Sequence, residues 1–178
     1  MGAKQKVVGG IIVAGVSMVA ASPVLMSFLG VWEGNGQNVV YADKLAGGLP
    51  TVCKGVTKWT SPYPVIVGEY WPPKKCEKVE RHVVVQTQRA LSKCIKTPVP
   101  QGTFDALTSH AHNFGWNRTC NSATVREINK GNIKQGCYFL AQKQDGSPNW
   151  SFAGKVFYRG LYNRRLAERS ELCLRDLE

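Results

Sequence analysis

Residues 32–55 read WEGNGQNVVYADKLAGGLPTVCKG, in which short apolar pieces (Val39-Val40-Tyr41 and Val52-Cys53) are interrupted by Gly47-Gly48 and Pro50. Interruptions at that spacing favour strands and turns over helix, so a small β-hairpin is expected between Val39 and Gly55. Two carboxylates attend it. Glu33 directly follows the apolar Val31-Trp32, while Asp43 stands at the hairpin entry, between Tyr41 and the glycine turn. An apolar wall favours a protonated carboxyl and a hydrated site an ionised one, so environment would separate the two roles. Glycoside hydrolysis needs such a split, with an acid for the leaving oxygen and a second carboxylate near the other face of the sugar. By itself a Glu and an Asp ten positions apart is a common surface pattern and identifies nothing.

On the N-terminal side, Val7 to Trp32 contains no charged residue and follows Lys4 and Lys6. The run is long enough to cross a bilayer, and basic residues before it place the N-terminus in the cytoplasm and all that follows on the far side. It is a weak anchor, diluted by Gly9, Gly10, Gly15, Ala20, Ala21 and Ser22 and broken by Pro23. Three fates are open: a signal peptide cleaved after Val19-Ala20-Ala21, a signal-anchor that holds the protein and later slips out, or a permanent anchor. The second is the reading adopted, with residues 1–31 as signal-anchor and 32–178 as catalytic domain. The six cysteines (Cys53, Cys76, Cys94, Cys120, Cys137 and Cys173) all lie beyond the run, as expected for disulfides in an oxidising compartment. They contain no CxxC pair, so no metal site is expected, and their pairing stays open.

On the C-terminal side, Thr60 to Pro73 is rich in Pro and aromatics (Tyr63, Tyr70, Trp71), which suggests a loop with a short strand at Val65-Ile66-Val67. Val79, Val83, Gln86, Ala90, Leu91 and Ile95 then recur at helical spacing until Thr97-Pro98, predicting a long connecting helix. Further helices are expected over Thr103–Asn113 ending at Gly115, from the cap Ser122 to about Gly131, over Ile133–Gln142 and over Asn163–Leu174. The expected fold class is α+β: a small β-hairpin lobe and a larger helical lobe joined by the long helix, with a cleft for a polymer between them. His110 and His112 are two apart in a helix and point to different faces, so they read as packing residues.

Lys plus Arg outnumber Asp plus Glu by 23 to 12, for a net charge of +11. Such a surface attracts a polyanion, whether nucleic acid, anionic lipid or cell wall. No nucleic-acid motif accompanies it, and none of that class is expected as partner.

Trp32-Glu33-Gly34, then Tyr41-Ala42-Asp43, then Gly48-Leu49-Pro50-Thr51-Val52-Cys53-Lys54-Gly55 resembles the active-site segment of the phage-type lysozymes, glycoside hydrolase family 24. The similarity continues through Gln101 to Leu107, Asn113-Phe114-Gly115, Thr124 to Asn129 and Gly160-Leu161-Tyr162-Asn163-Arg164-Arg165. With the Gly/Ala-rich leader, the chain resembles signal-arrest-release endolysins, which lyse the host at the end of phage infection. The resemblance implies a lysozyme-like fold and a muramidase acting on peptidoglycan. In it Glu33 is the general acid, Asp43 and Thr51 hold and activate the attacking water, and the outcome is inversion. It also implies Arg164 as a basic group near the acid across the cleft, against the plain alternative that Arg164 and Arg165 are solvated helix charges. No cofactor or metal is implied, and a monomer is expected. Its implied location is the inner membrane, N-terminus cytoplasmic and catalytic domain periplasmic, followed by release to the periplasm. Compared with the family, the chain is one residue longer between Glu33 and Asp43 and two longer between Asp43 and Thr51, with insertions expected at Asn35 to Asn38 and Ala46 to Gly48. Tethered, Glu33 would lie at the lipid surface and the enzyme should be inactive. Residues 1–32 hold no cysteine for a disulfide-exchange guard, so release itself should let the anchor refold against the catalytic domain. Two other functions compete: a lytic transglycosylase, which needs neither Asp43 nor Thr51, and a non-catalytic cationic wall- or membrane-active protein.

Overall fold

The structure, a computed structural model, describes residues 10–34 and 36–177; Lys4, Lys6, the start of the apolar run and Asn35 of the first insertion lie outside the described residues. The chain forms two compact units, one of residues 26–86 and one that combines the N-terminal part up to Leu25 with everything from Thr87.

The N-terminal run is divided rather than continuous. Strands β1 (Ile11–Val13) and β2 (Val16–Met18) pair antiparallel around Ala14-Gly15. Both turn residues have positive φ, 45° and 85°, the left-handed region that glycine enters freely. Helix α1 (Pro23–Glu33) follows. Ser22 caps it, accepting from the Leu25 amide at 3.1 Å, and Pro23 occupies the first turn, where its missing N–H costs nothing. Leu25, Phe28 and Leu29 form its buried stripe, while Val24 and Val31 are exposed. Among the described residues no helix is long and apolar enough to cross a membrane.

Residues 26–86 contain the expected hairpin with an added strand. β3 (Gln37–Asp43) pairs with β4 (Leu49–Cys53), and β4 with the short β5 (Val56–Thr57), all antiparallel. A single 3-10 turn, Lys44–Ala46, and Gly47-Gly48 join the first two strands. The core beneath is Val40, Val52, Val56, Val65, Trp71 and Val79, closed by the Cys53–Cys76 disulfide. The strand expected at Val65–Val67 does not form. Val65 is buried, but Ile66 and Val67 are exposed at a turn that ends in Gly68, and the pairing partner of Val39 is instead Tyr70.

Helix α2 (Pro73–Ser92) leads out of this unit. It stops short of Ile95, which is buried beyond the helix end, so apolar spacing ran on past the helix itself. α3 (Gln101–Phe114) is the centre of the second unit, buried from Gly102 to Ala111 and closed by Gly115 at φ 87°. Helices α4 (Trp116–Cys120), α5 (Ala123–Asn129) and α6 (Ile133–Phe139) follow it; α5 is capped by Ser122 as expected, whereas α6 ends three residues before Gln142. A small hairpin of β6 (Phe152–Ala153) and β7 (Val156–Phe157) precedes α7 (Arg159–Ala167), which continues as a π-helix over Glu168–Cys173. The last helix thus starts earlier than Asn163 and changes pitch inside the stretch expected to be uniform. Disulfides Cys94–Cys120 and Cys137–Cys173 complete the three bridges. The fold is α+β, with the larger helical part expected from the sequence.

Candidate active site

Glu33 is the last residue of α1, partly buried, and Gly34 at φ 67° turns the chain away after it. Asp43 ends β3 and Thr51 lies mid-β4. Their relation follows from register. Tyr41 faces Thr51 and Asp43 faces Leu49 across the pair. Directly opposed residues share a face, as do residues two apart on one strand, so Asp43 and Thr51 are diagonal neighbours on one face. The connection between the two strands is the Lys44–Ala46 turn followed by Gly47-Gly48.

Thr51 is buried, and its hydroxyl donates to the Leu49 carbonyl at 3.0 Å. That bond uses its one proton and leaves oxygen lone pairs to accept from another group. Asp43 is partly exposed, with its own carbonyl accepting from the Gly48 amide at 2.7 Å.

The same unit holds a carboxylate that sequence reasoning missed. Glu80 on α2 accepts the Lys54 amide at 3.2 Å. Burial pushes its carboxyl above the usual range against the pull of Lys54, and the neighbouring Glu77 and Glu33 push it the same way. The Lys54 ammonium reaches α1, lying 3.8 Å from where a Cβ on Gly30 would stand, one turn before Glu33. A cation at a helix C-terminus meets the negative end of the helix dipole. A cavity of about 380 Å³ beside the Cys53–Cys76 bridge is lined by Asn38, Lys54, Glu77 and Glu80, and does not include Glu33, Asp43 or Thr51. Glu80 stands one helical turn from Cys76; knowledge of the disulfide pairing would have been the signal that brings it to Lys54.

Arg164 belongs to the other unit. Neither it nor Arg165 is a solvated helix charge: both are buried on α7 around Glu168, whose Oε1 receives Arg165 at 2.6 Å and lies 3.4 Å from the Arg164 Nε. Ser109 donates to the same oxygen at 2.6 Å. Burial pushes the Glu168 carboxyl up, against the two guanidinium groups and the Ser109 hydroxyl. His110 packs as expected: it is fully buried, its Nδ1 is 2.8 Å from the Thr119 hydroxyl, and burial with three neighbouring arginines holds it well below the usual histidine range. Among the described residues, no three His, Cys, Asp or Glu side chains gather as a metal ion would require.

The N-terminal segment is tied into this second unit by polar contacts. The Val19 amide donates to Gln101 Oε1 at 2.8 Å and Gln101 returns a bond to the Val19 carbonyl at 3.2 Å. The Ala21 amide donates to buried Gln88 at 2.8 Å, and the Ser22 hydroxyl to buried Asp105 at 2.6 Å.

Comparison with known proteins matches residues 31–168 to the family model described as Phage lysozyme. Among curated relatives, a SAR-endolysin of Bacteriophage PS119 is 30% identical over 127 residues, covering 71% of this chain and 69% of that protein. Among solved structures, an endolysin from Escherichia coli O157:H7 phage FAHEc1 superposes with TM-score 0.66 at 25% identity, over 87% of this chain and 93% of that one. The muramidase domain of SpmX from Asticaccaulis excentricus superposes with TM-score 0.68 at 22% identity, over 84% and 94%, and bears on the fold alone.

Proposed function

The chain belongs to the phage lysozyme family, and from that membership we propose that it is an endolysin that hydrolyses the β-1,4 bond between N-acetylmuramic acid and N-acetylglucosamine in peptidoglycan. Glu33 gives its proton to the glycosidic oxygen as the bond breaks. A water attacks the anomeric carbon from the opposite face, one of its protons passes to Asp43, and the product has inverted configuration. The observation that carries this reading is the β3–β4 register, which sets Asp43 and Thr51 on one face. Because Thr51 gives its proton to Leu49, its oxygen accepts from the water, as does the Asp43 carboxylate. With both water protons so directed, a lone pair is left for attack. Arg164 supports the glycan from the position set by Glu168.

Before release, residues 1–31 hold the enzyme in the inner membrane with residues 32–178 in the periplasm. Release then lets residues 10–25 fold onto Gln88, Gln101 and Asp105. Supporting this are buried Gln88 and Asp105, whose partners Ala21 and Ser22 lie in the segment: a stretched membrane span offers neither, and an orphaned buried acceptor costs about 1–3 kcal/mol. An unreleasable variant, with a longer and more apolar span, should show no wall cleavage; full activity in that form refutes the release step.

The deciding experiment is mass spectrometry of purified peptidoglycan digested by wild type and by Glu33→Gln. Reducing muramic ends that fall by about 10²–10⁴-fold in the variant are expected. Anhydro ends would make the enzyme a transglycosylase and remove Asp43 and Thr51 from the reaction.

A further inference from the structure

Trp150 takes no part in the reaction above, yet the structure holds it in an unfavourable conformation. Its φ is 53°, a region that bulky side chains rarely enter and that persists where surrounding packing enforces it. Its ring meets His110 edge-on at 4.6 Å and Phe114 at 5.0 Å. On either side of it, Asn149 donates to the Phe139 carbonyl at 2.8 Å and the buried Ser151 hydroxyl to the Asn149 carbonyl at 2.7 Å.

Over this cluster lies one exposed cation. The Arg118 guanidinium sits 5.2 Å from the Trp150 ring centre and 5.5 Å from that of Phe114. Among the described residues no carboxylate lies within ion-pair distance of it. A guanidinium resting on aromatic faces keeps the N–H donors at its edge available, in the fork that matches a carboxylate, and stacking holds that fork still. Arg118, Trp150 and the half-exposed Phe152 line a pocket of about 380 Å³, within the range of ligand sites. Of the residues that line it, Arg118 carries the charge, and none is Asp or Glu. Aromatic faces suit the apolar face of a sugar ring, and an unpaired, preorganised guanidinium suits an anion.

We propose that the Arg118–Trp150–Phe152 pocket binds a carboxylate-bearing muramyl glycan, with the ring against the aromatic wall and the carboxylate on the Arg118 fork. The inference rests on the muramidase reading and adds to it a specificity residue for peptide-substituted wall over neutral glycan.

The test is titration of the isotope-labelled full chain, followed by NMR, with muramyl dipeptide as the anionic probe and triacetylchitotriose as the neutral one. Muramyl dipeptide should shift the Trp150 indole N–H and the Arg118 side-chain signals. Arg118→Gln should weaken its binding by at least about 10-fold, the loss expected for one charge-assisted pair, while changing chitotriose binding by less than about 2-fold. Arg118→Lys, which keeps the charge and loses the flat stack, should fall between wild type and Arg118→Gln. Equal weakening for both probes, shifts confined to the β3–β4 hairpin, or no muramyl dipeptide binding would each overturn the pocket. Wall cleavage by the same wild-type preparation separates the two readings: if it persists when the pocket fails, only the pocket is wrong, and if it too is absent, the muramidase reading fails with it.

Discussion

Thr51 shows how one hydroxyl can be made into a directed acceptor. Its proton is committed to the Leu49 carbonyl, so what remains is a neutral oxygen beside the Asp43 carboxylate. Thr51→Ser should keep this bond and most activity. Thr51→Val keeps the buried volume but removes the oxygen, and should lower kcat by about 10²-fold with little change in melting temperature; muropeptide release rates and thermal denaturation check the two halves. The residue type was legible in the sequence through the family pattern, but its bond to Leu49 was not, because a side chain two residues from its partner carbonyl has several rotamers to choose from. Glu80 was not legible at all. It is one of several acids on an amphipathic helix, and only the Cys53–Cys76 bridge brings it to the Lys54 amide.

At the scale of elements, close packing is decided by glycines inside helices. A Cβ on Gly136 of α6 would stand 2.8 Å from the Thr124 carbonyl and against the Ile128 side chain, so α5 and α6 touch through backbone. Gly136→Ala should destabilise the fold by about 1–3 kcal/mol, read as a lower denaturation midpoint with an unchanged slope. Gly102 on α3 has the same role against the Leu172 carbonyl. The change from α7 to π-helix falls at Glu168, where two buried arginines converge on one carboxylate. Removing one partner of such a group costs about 3–5 kcal/mol, because it leaves charge buried without compensation. Apolar spacing foretold most helices here. It misplaced their ends, since spacing reports a buried face and burial continues past the last hydrogen-bonded turn, as at Ile95.

For the molecule as a whole, buried Asp105 couples folding to proton uptake. Asp105 is buried, receives Ser22 at 2.6 Å and Gln101 at 2.8 Å, and burial raises its carboxyl above the usual aspartate range despite those bonds. The folded state therefore holds this proton more tightly than the unfolded chain. The associated stability is present below the ordinary aspartate value and is lost as pH rises through the raised folded value. Asp105→Asn cannot ionise, so its melting temperature should fall less than that of wild type as pH rises above the ordinary aspartate value. A larger fall in the variant would show that Asp105 is folded as a stabilised anion.

The sequence by itself determined the α+β class, the hairpin, the long helix, the buried His110, the oxidised cysteines and the family to which Glu33, Asp43 and Thr51 point. Each of these depends on local spacing or on residues near one another in the chain. Tertiary structure alone decided which cysteines pair, where Glu80 and Glu168 find their partners, that Arg164 and Arg165 are buried, and that residues 11–18 form a hairpin. The physical reason is that an apolar run carries the same hydropathy whether it faces lipid or a protein core. The choice between them depends on polar groups such as Gln88, Gln101 and Asp105, which lie far along the chain and reveal their purpose only once it has folded.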